Sequence, residues 1–127
     1  MIEIHTVGAG GGSIARLNTG GALVVGPQSA GADPGPACYG KGDQITVTDA
    51  ALILGRLLPD HFRGGRLELD RKRSEGLIET LASQIGVTMT EAALGIQRVV
   101  NANMERAIRT ISLERGYDSR LFTLVPF

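Results

Sequence analysis

The chain has one cysteine, no net charge, no basic leader and no long apolar run. Each absence removes a class of protein. With Cys38 alone, an internal disulfide is excluded, and a reducing compartment is the expected setting. Thirteen basic residues balance thirteen acidic ones, and Arg71-Lys72-Arg73 is the longest basic run. That is no footprint for nucleic acid, and the triplet is expected to be a solvated turn before a helix. No segment approaches the roughly 18 apolar residues that a membrane span requires, and the N-terminus lacks the basic-then-apolar pattern of a signal peptide. A cytoplasmic, soluble protein is therefore expected.

What is present in excess is glycine. Eleven of the 18 glycines precede Asp43, together with Pro27, Pro34 and Pro36. Each glycine inside a helix or strand is unfavourable by about 0.5–1 kcal/mol relative to alanine, so this density opposes regular structure. The first third is expected to line a site rather than build a core. The 127 residues suit one domain, and 43% hydrophobic with 20% charged content argues for a folded chain. Within that domain, residues 1–42 read as glycine-rich loops and short strands, and 43–127 as a helical part with a terminal strand.

The pattern predicts a short strand over Glu3–Val7, a loop over Gly8–Ser13, and strands over Ile14–Leu17 and Ala22–Val25. Asn18-Thr19-Gly20-Gly21 suits the hairpin turn between the latter two. Gly26 to Gly42 is expected to be loop throughout. Thr48 is the expected cap of a helix from Asp49 to about Leu57, stopped by Pro59. Ser74 would cap a second helix, with Ile78, Leu81, Ala82 and Ile85 as its apolar stripe and Gly86 as its end. Thr88 with Glu91 forms a capping box for a third, with Val87 placed as a staple and Gly116 past its end. Its face carries Ile96, Val100, Met104, Ala107, Ile108 and Ile111, and Glu105 and Arg109 form a pair four apart. Asn101 falls on the polar side of that helix and Asn103 borders the stripe. Leu121–Val125 reads as a buried strand. It ends without a turn or polar tail, so the chain is expected to be a piece of a longer one.

The glycine loop fails the known phosphate patterns. A dinucleotide fingerprint needs a third glycine where Ser13 stands, and a P-loop needs a lysine that does not follow. Two readings survive. Consecutive amides of Gly10, Gly11 and Gly12, with the Ser13 hydroxyl, could form an anion-binding concavity, or the loop could be a tight connection under a neighbouring element. His5 could be a structural hydrogen-bonding group or a base. Asp33, before Pro34, organises a turn or reaches a site. Asp49 is a cap or first-turn residue, or a site residue. Cys38 has no His or Lys near it at a telling spacing and reads as an ordinary partly buried thiol. His5, Asp33, Cys38, Asp49 and His61 show no tight metal-ligand spacing, and whether the fold assembles a metal among them stays open.

Longer strings carry more. Ile4-His5-Thr6-Val7-Gly8-Ala9-Gly10-Gly11-Gly12-Ser13-Ile14-Ala15 resembles a signature of the hydantoinase A/5-oxoprolinase family. Gly26 to Gly40, reading GPQSAGADPGPACYG, resembles a second. Thr46-Val47-Thr48-Asp49-Ala50 before Leu54-Gly55-Arg56-Leu57, and Glu114-Arg115-Gly116-Tyr117-Asp118 before Phe122-Thr123-Leu124-Val125, are similar to two more. Arg16 stands where many members carry an aromatic residue.

The resemblance implies an α/β chain, part of an actin/hexokinase-like ATPase fold. It implies an ATP-dependent subunit, using Mg, that opens cyclic amides such as hydantoins or 5-oxoproline. Members also serve in acetone and acetophenone carboxylases, so a ketone substrate is the alternative, and a non-catalytic interaction module is a third reading. A hydantoinase B-type subunit is the implied partner, and self-association is left open. The family's Asp-Gly-Gly-Thr and Gly-Gly-Ala-Gly-Pro motifs are not in the chain, so on this resemblance it is expected to be a central segment, inactive alone. The site residues expected on this basis are His5, Asp33 and Asp49 for the chemistry and Gly10, Gly11, Gly12 and Ser13 for the cofactor.

Overall fold

The computed structural model describes residues 8–57, 68–121 and 123. The predicted strand over Glu3–Val7, with His5, lies outside them, as do Pro59, His61 and most of the predicted terminal strand. The described residues form a mixed α/β unit. A two-stranded antiparallel hairpin, β1 (Ser13–Leu17) and β2 (Leu23–Ser29), is followed by α1 (Val47–Ile53), α2 (Arg71–Ile85) and α3 (Met89–Glu114). Single 3-10 turns lie at Ala37–Tyr39 and Ser119–Leu121.

The hairpin turn follows from Asn18. Its side-chain oxygen accepts from the amides of Gly20 and Ala22, and Gly21 takes a positive φ of 82°. Arg16 pairs with Val24 and Leu17 with Leu23, but between Ser13 and Ala15 the register slips. β2 therefore runs on through Gly26 to Ser29, where only loop is predicted. Gly26 makes this continuation workable. It has a φ of 70°, and a Cβ there would sit 3.1 Å from the Gly8 carbonyl oxygen. On its other edge, β1 receives the segment before α1, with the Ala15 amide donating to the Ile45 carbonyl at 2.8 Å.

Helix starts differ from expectation at two of three places. α1 is capped by Thr46, not Thr48, because Thr46 and Asp49 complete a capping box across the first turn. α2 is capped by Asp70, whose side chain accepts from the Arg73 amide, and Ser74 is instead buried inside the helix. The basic triplet is the first turn of α2 rather than a solvated approach to it. Arg71 donates to the Leu52 and Ile53 carbonyls at the end of α1, and Arg73 donates to the Gly42 carbonyl at 2.6 Å. α3 starts and ends as predicted, on the Thr88–Glu91 box and before Gly116, and Glu105 pairs with Arg109 at 2.6 Å.

The core takes residues from both sides of residue 43. Ala15 and Val25 of the hairpin pack with Ala50 and Ile53 of α1, Ile78 of α2, and Ile96 and Val100 of α3. The glycine-rich third thus helps to build the core, contrary to expectation, because β1 and β2 each turn a small or branched residue inward. Asn103 adds a polar tie, donating to the Val25 carbonyl at 3.2 Å, while Asn101 is exposed. Only the first half of the α3 stripe is buried: Ile108 is 41% exposed. Val87 and Ile85 are exposed as well, so neither the staple nor the end of the α2 stripe is covered. Leu121 ends a 3-10 turn and is exposed rather than buried in a strand. Among the described residues no helix is long and apolar enough to cross a membrane.

The two ends of the α3 stripe should respond differently to truncation. Ile96→Ala is expected to destabilise the chain by about 3 kcal/mol in urea unfolding. Ile108→Ala is expected to change stability by less than about 0.5 kcal/mol.

Candidate functional site

Two glycine-bearing loops face each other across the N-terminal end of α1. The first is the turn Gly10–Ser13, closed by the Ser13 amide donating to the Gly10 carbonyl at 3.1 Å and the Gly10 amide donating to Ser13 Oγ at 3.0 Å. The Ser13 hydroxyl is therefore an internal strut of the turn, and the residue is buried. Gly11 and Gly12 occupy the middle of the turn, and no acceptor among the described residues takes their amides. Gly12 passes close against β2: a Cβ there would lie 2.7 Å from Ser29 Oγ.

The second loop is the stretch from Ala30 to Gly42. Its Pro36–Gly40 portion is wound into the 3-10 turn and fastened from below by Asp49. This side chain is fully buried and accepts five hydrogen bonds. The Cys38 amide (2.8 Å) and Ser74 Oγ (2.6 Å) donate to Oδ1; the Ala37 amide (3.1 Å), the Thr46 amide (2.9 Å) and Thr46 Oγ1 (2.8 Å) donate to Oδ2. Hydrogen bonds to an ionised acceptor are the strong ones, which is how a carboxylate with no ion-pair partner among the described residues is held inside the fold. Its contacts are those of a group that orients the loop. Thr48, the residue before it, grips the other loop: its amide and its hydroxyl both donate to the Gly11 carbonyl at 2.9 Å.

Between the loops lies an open cleft of about 570 Å³, lined among others by Gly11, Gly12, Gly31, Tyr39, Lys41 and Thr48. Its size suits a small-molecule ligand. Lys41, a cationic residue, lines the same cleft as Gly11 and Gly12. A cation and backbone amides around a concavity are a donor set for an anion such as a phosphoryl group. Of the residues singled out from sequence, Gly11 and Gly12 line this cleft, Gly10 and Ser13 brace it from behind, and Asp49 lies beneath it. Asp33 is exposed in the turn between the lining residues Ala32 and Pro34 and does not itself line the cleft. Among the described residues no three His, Cys, Asp or Glu side chains gather as a metal site.

Gly31 and Tyr39 lie inside the Gly26–Gly40 string but are not among the expected site residues, and Lys41, just past its end, carries no motif of its own. Thr48, the expected cap of α1, is instead its second residue. The spacing Thr46-x-x-Asp49, itself a capping box, was the signal that places Thr48 one residue inside the helix and frees its hydroxyl. Cys38 is fully buried. Burial first, and then the charge of neighbouring Asp49, push its thiol from 9.0 up to about 12, which leaves it no nucleophile. A second hollow of about 540 Å³ lies at the far end of α3, where Asp118 is paired with Arg120.

With this geometry in view, comparison with known proteins is decisive. The family model for hydantoinase/oxoprolinase matches residues 1–127. The chain belongs to the hydantoinase/oxoprolinase family. Among relatives of this family, it is 50% identical to the caprolactamase subunit alpha of Pseudomonas jessenii over 98% of the chain. It is 43% identical to the acetophenone carboxylase gamma subunit of Aromatoleum aromaticum over its whole length. The chain spans about a fifth of the length of these relatives, 18% in each case. The crystal structure of the ATP-dependent caprolactamase superposes with a TM-score of 0.83 at 50% identity, covering 94% of this chain and 18% of that one. A nucleotide-free acetone carboxylase chain, from a study of ATP-dependent acetone carboxylation, gives 0.80 at 34% identity, covering 87% and 16%.

Removing one charge beneath the cleft should be costly, and removing one at its rim should not. Asp49→Asn replaces an acceptor by a donor facing other donors and is expected to destabilise by roughly 3 kcal/mol in urea unfolding, against less than about 0.5 kcal/mol for Asp33→Asn.

Cys38 gives a pH signature. Its folded pKa is raised above the unfolded value, so its contribution to stability is full below about pH 9 and is lost as pH rises from there toward 12. The stability difference between the native chain and Cys38→Ala, measured by urea unfolding, should therefore be constant below about pH 8.5 and shift against the native chain above pH 9.

Proposed function

We propose that the chain is the central segment of an ATP-dependent amide hydrolase subunit that opens cyclic amides, and that its cleft is one wall of the phosphate-handling site. The observation that carries this reading is that the two glycine-rich loops bearing the family's strings meet at one cleft, lined by Gly11, Gly12 and Lys41, where no acceptor among the described residues takes the two glycine amides. Bound ATP, with Mg, would supply the phosphoryl group that activates the amide oxygen of the ring. The Gly11 and Gly12 amides and the Lys41 ammonium would hold phosphate oxygens. Tyr39 and the neighbouring prolines give that space an apolar border. Gly10, Ser13 and Asp49 keep the donors in place without touching the ligand. His5, three residues before the loop in sequence, is proposed to take part in the chemistry, and Asp33 to orient the loop rim. A second large subunit of hydantoinase B type is the proposed partner, in keeping with relatives that are themselves named as subunits.

The likeness to two carboxylases supports a second reading, in which the activated oxygen belongs to a ketone enolate and the product is a carboxylate. The higher identity to the caprolactamase favours the hydrolase.

The full-length protein containing this segment separates them. Incubated with Mg-ATP and 5-oxoproline, hydantoin or caprolactam, it is expected to release ADP and ring-opened product in equal amounts. Product formed only from ketone and bicarbonate would establish the carboxylase instead. The isolated chain, carrying one wall of the site, is expected to bind Mg-ATP more weakly than micromolar in calorimetric titration, and tighter binding would overturn the one-wall reading.

A further inference from the structure

The Gly11 carbonyl receives two donors from one residue 37 positions away. The Thr48 amide takes it at 2.9 Å, and so does the Thr48 hydroxyl. The first bond has a helical explanation. Thr48 is the second residue of α1, where the amide has no partner inside the helix, so the turn carbonyl satisfies it. The hydroxyl bond has no such explanation. The helix is already capped by Thr46, and the Gly11 carbonyl is already satisfied by the amide.

What the hydroxyl adds is direction. Gly11 and Gly12 share one planar peptide group, in which the carbonyl and the following N–H point opposite ways. Two donors on the Gly11 oxygen, one from main chain and one from side chain, fix the tilt of that plane as one donor cannot. The Gly12 N–H is thereby aimed away from Thr48, where no acceptor among the described residues meets it. The Gly12 carbonyl is held in turn by the Ala30 amide at 2.9 Å, so both flanking peptide planes are anchored. The approach is close enough that a Cβ on Gly11 would lie 2.8 Å from Thr48 Oγ1.

We infer that Thr48 is a positioning residue, whose hydroxyl locks the Gly11–Gly12 peptide so that the Gly12 amide is presented, preorganised, to a phosphoryl oxygen in the cleft. This rests on the phosphate-handling role proposed above. A preorganised donor is worth more than a mobile one because no reorganisation is needed when charge arrives.

The test uses the full-length protein and two substitutions. Thr48→Val keeps the shape and the branched Cβ but removes the hydroxyl; Thr48→Ser keeps the hydroxyl. With Val, the KM for ATP is expected to rise roughly tenfold, the loss of one hydrogen bond of ordinary strength, with kcat changed less than KM. Ser is expected to return KM to within about twofold of the native value. Hydrogen exchange read by mass spectrometry over residues 8–16 and 44–52 should show roughly tenfold faster exchange at the turn in the Val variant, while residues 92–100 of α3 stay protected. An unchanged KM together with unchanged exchange overturns the inference. So does a loss of protection that spreads to α3 and is not restored by Ser, which would make Thr48 a general stability residue. Should the native protein show no ATP-dependent turnover, the phosphate-handling reading fails, and the exchange comparison alone decides whether Thr48 locks the turn.

Discussion

Asp49 is a buried carboxylate that no cation neutralises among the described residues, and the arrangement of the chain around it follows from the need to keep it satisfied. An isolated ionised group taken out of water is strongly unfavourable, so every lone pair must find a donor. The five donors come from three separate stretches: the 3-10 turn, the start of α1, and the body of α2. Those stretches therefore cannot move independently. Cys38, whose amide is one of the donors, is sealed in by the same contact, together with Leu52 and Leu69. Ser74 explains why α2 carries a small hydroxyl at a fully buried position where an apolar residue would otherwise be expected.

The neighbouring residue extends the same frame to the other loop. Thr48 and Asp49 are consecutive on the first turn of α1, so their side chains leave the helix in different directions. One holds the Gly10–Ser13 turn and the other the 3-10 turn. A cleft with loop walls is ordinarily of indefinite width, because loops lack their own hydrogen-bond ladder. Here both walls are referred to a single helical turn. That turn is itself pinned to the core by Ala50 and Ile53, and from the far end by Arg71, which donates to the Leu52 and Ile53 carbonyls. Seven residues of helix are enough because the helix is both packed into the core and tied to each loop by side chains of its first turn.

How much of this was legible in the sequence depends on how local its cause is. The Asn18–Gly21 turn, the Thr88–Glu91 box and the Gly86 cap are each decided within four or five residues, and each stands where the pattern places it. For α1 the deciding signal is local too, the Thr46–Asp49 box, whereas Asp70 and Ser74 are equally good caps for α2 on local grounds. There the choice is made by Asp49, distant in sequence, which takes the Ser74 hydroxyl. β2 ran past its predicted end because a glycine and a proline read as breakers, whereas Gly26 at positive φ continues the strand through a bulge. The outer half of the α3 stripe has helical periodicity but is only partly covered among the described residues, and periodicity alone carries no information about what covers a face. At the site, the glycines were visible as an excess; Lys41 was not, since a lone lysine in a loop has no local signature until the opposite wall is in place.

The comparisons bear on which ligand the cleft should be assigned. A caprolactamase and two ketone carboxylases share this segment closely, at 50%, 43% and 34% identity, and the two solved chains superpose on it almost equally well. A lactam ring and a small ketone have little shape or charge in common. The feature common to the two solved relatives' own descriptions is dependence on ATP. A segment whose backbone is so nearly the same in both would be expected to serve the shared step rather than the divergent one. Backbone amides and a lysine around an open cleft are suited to that step, because they recognise charge on oxygen without reading the group to which the oxygen belongs. Recognition of the ring or the ketone would then fall to side chains outside the Gly11–Lys41 cleft, where these proteins are free to differ.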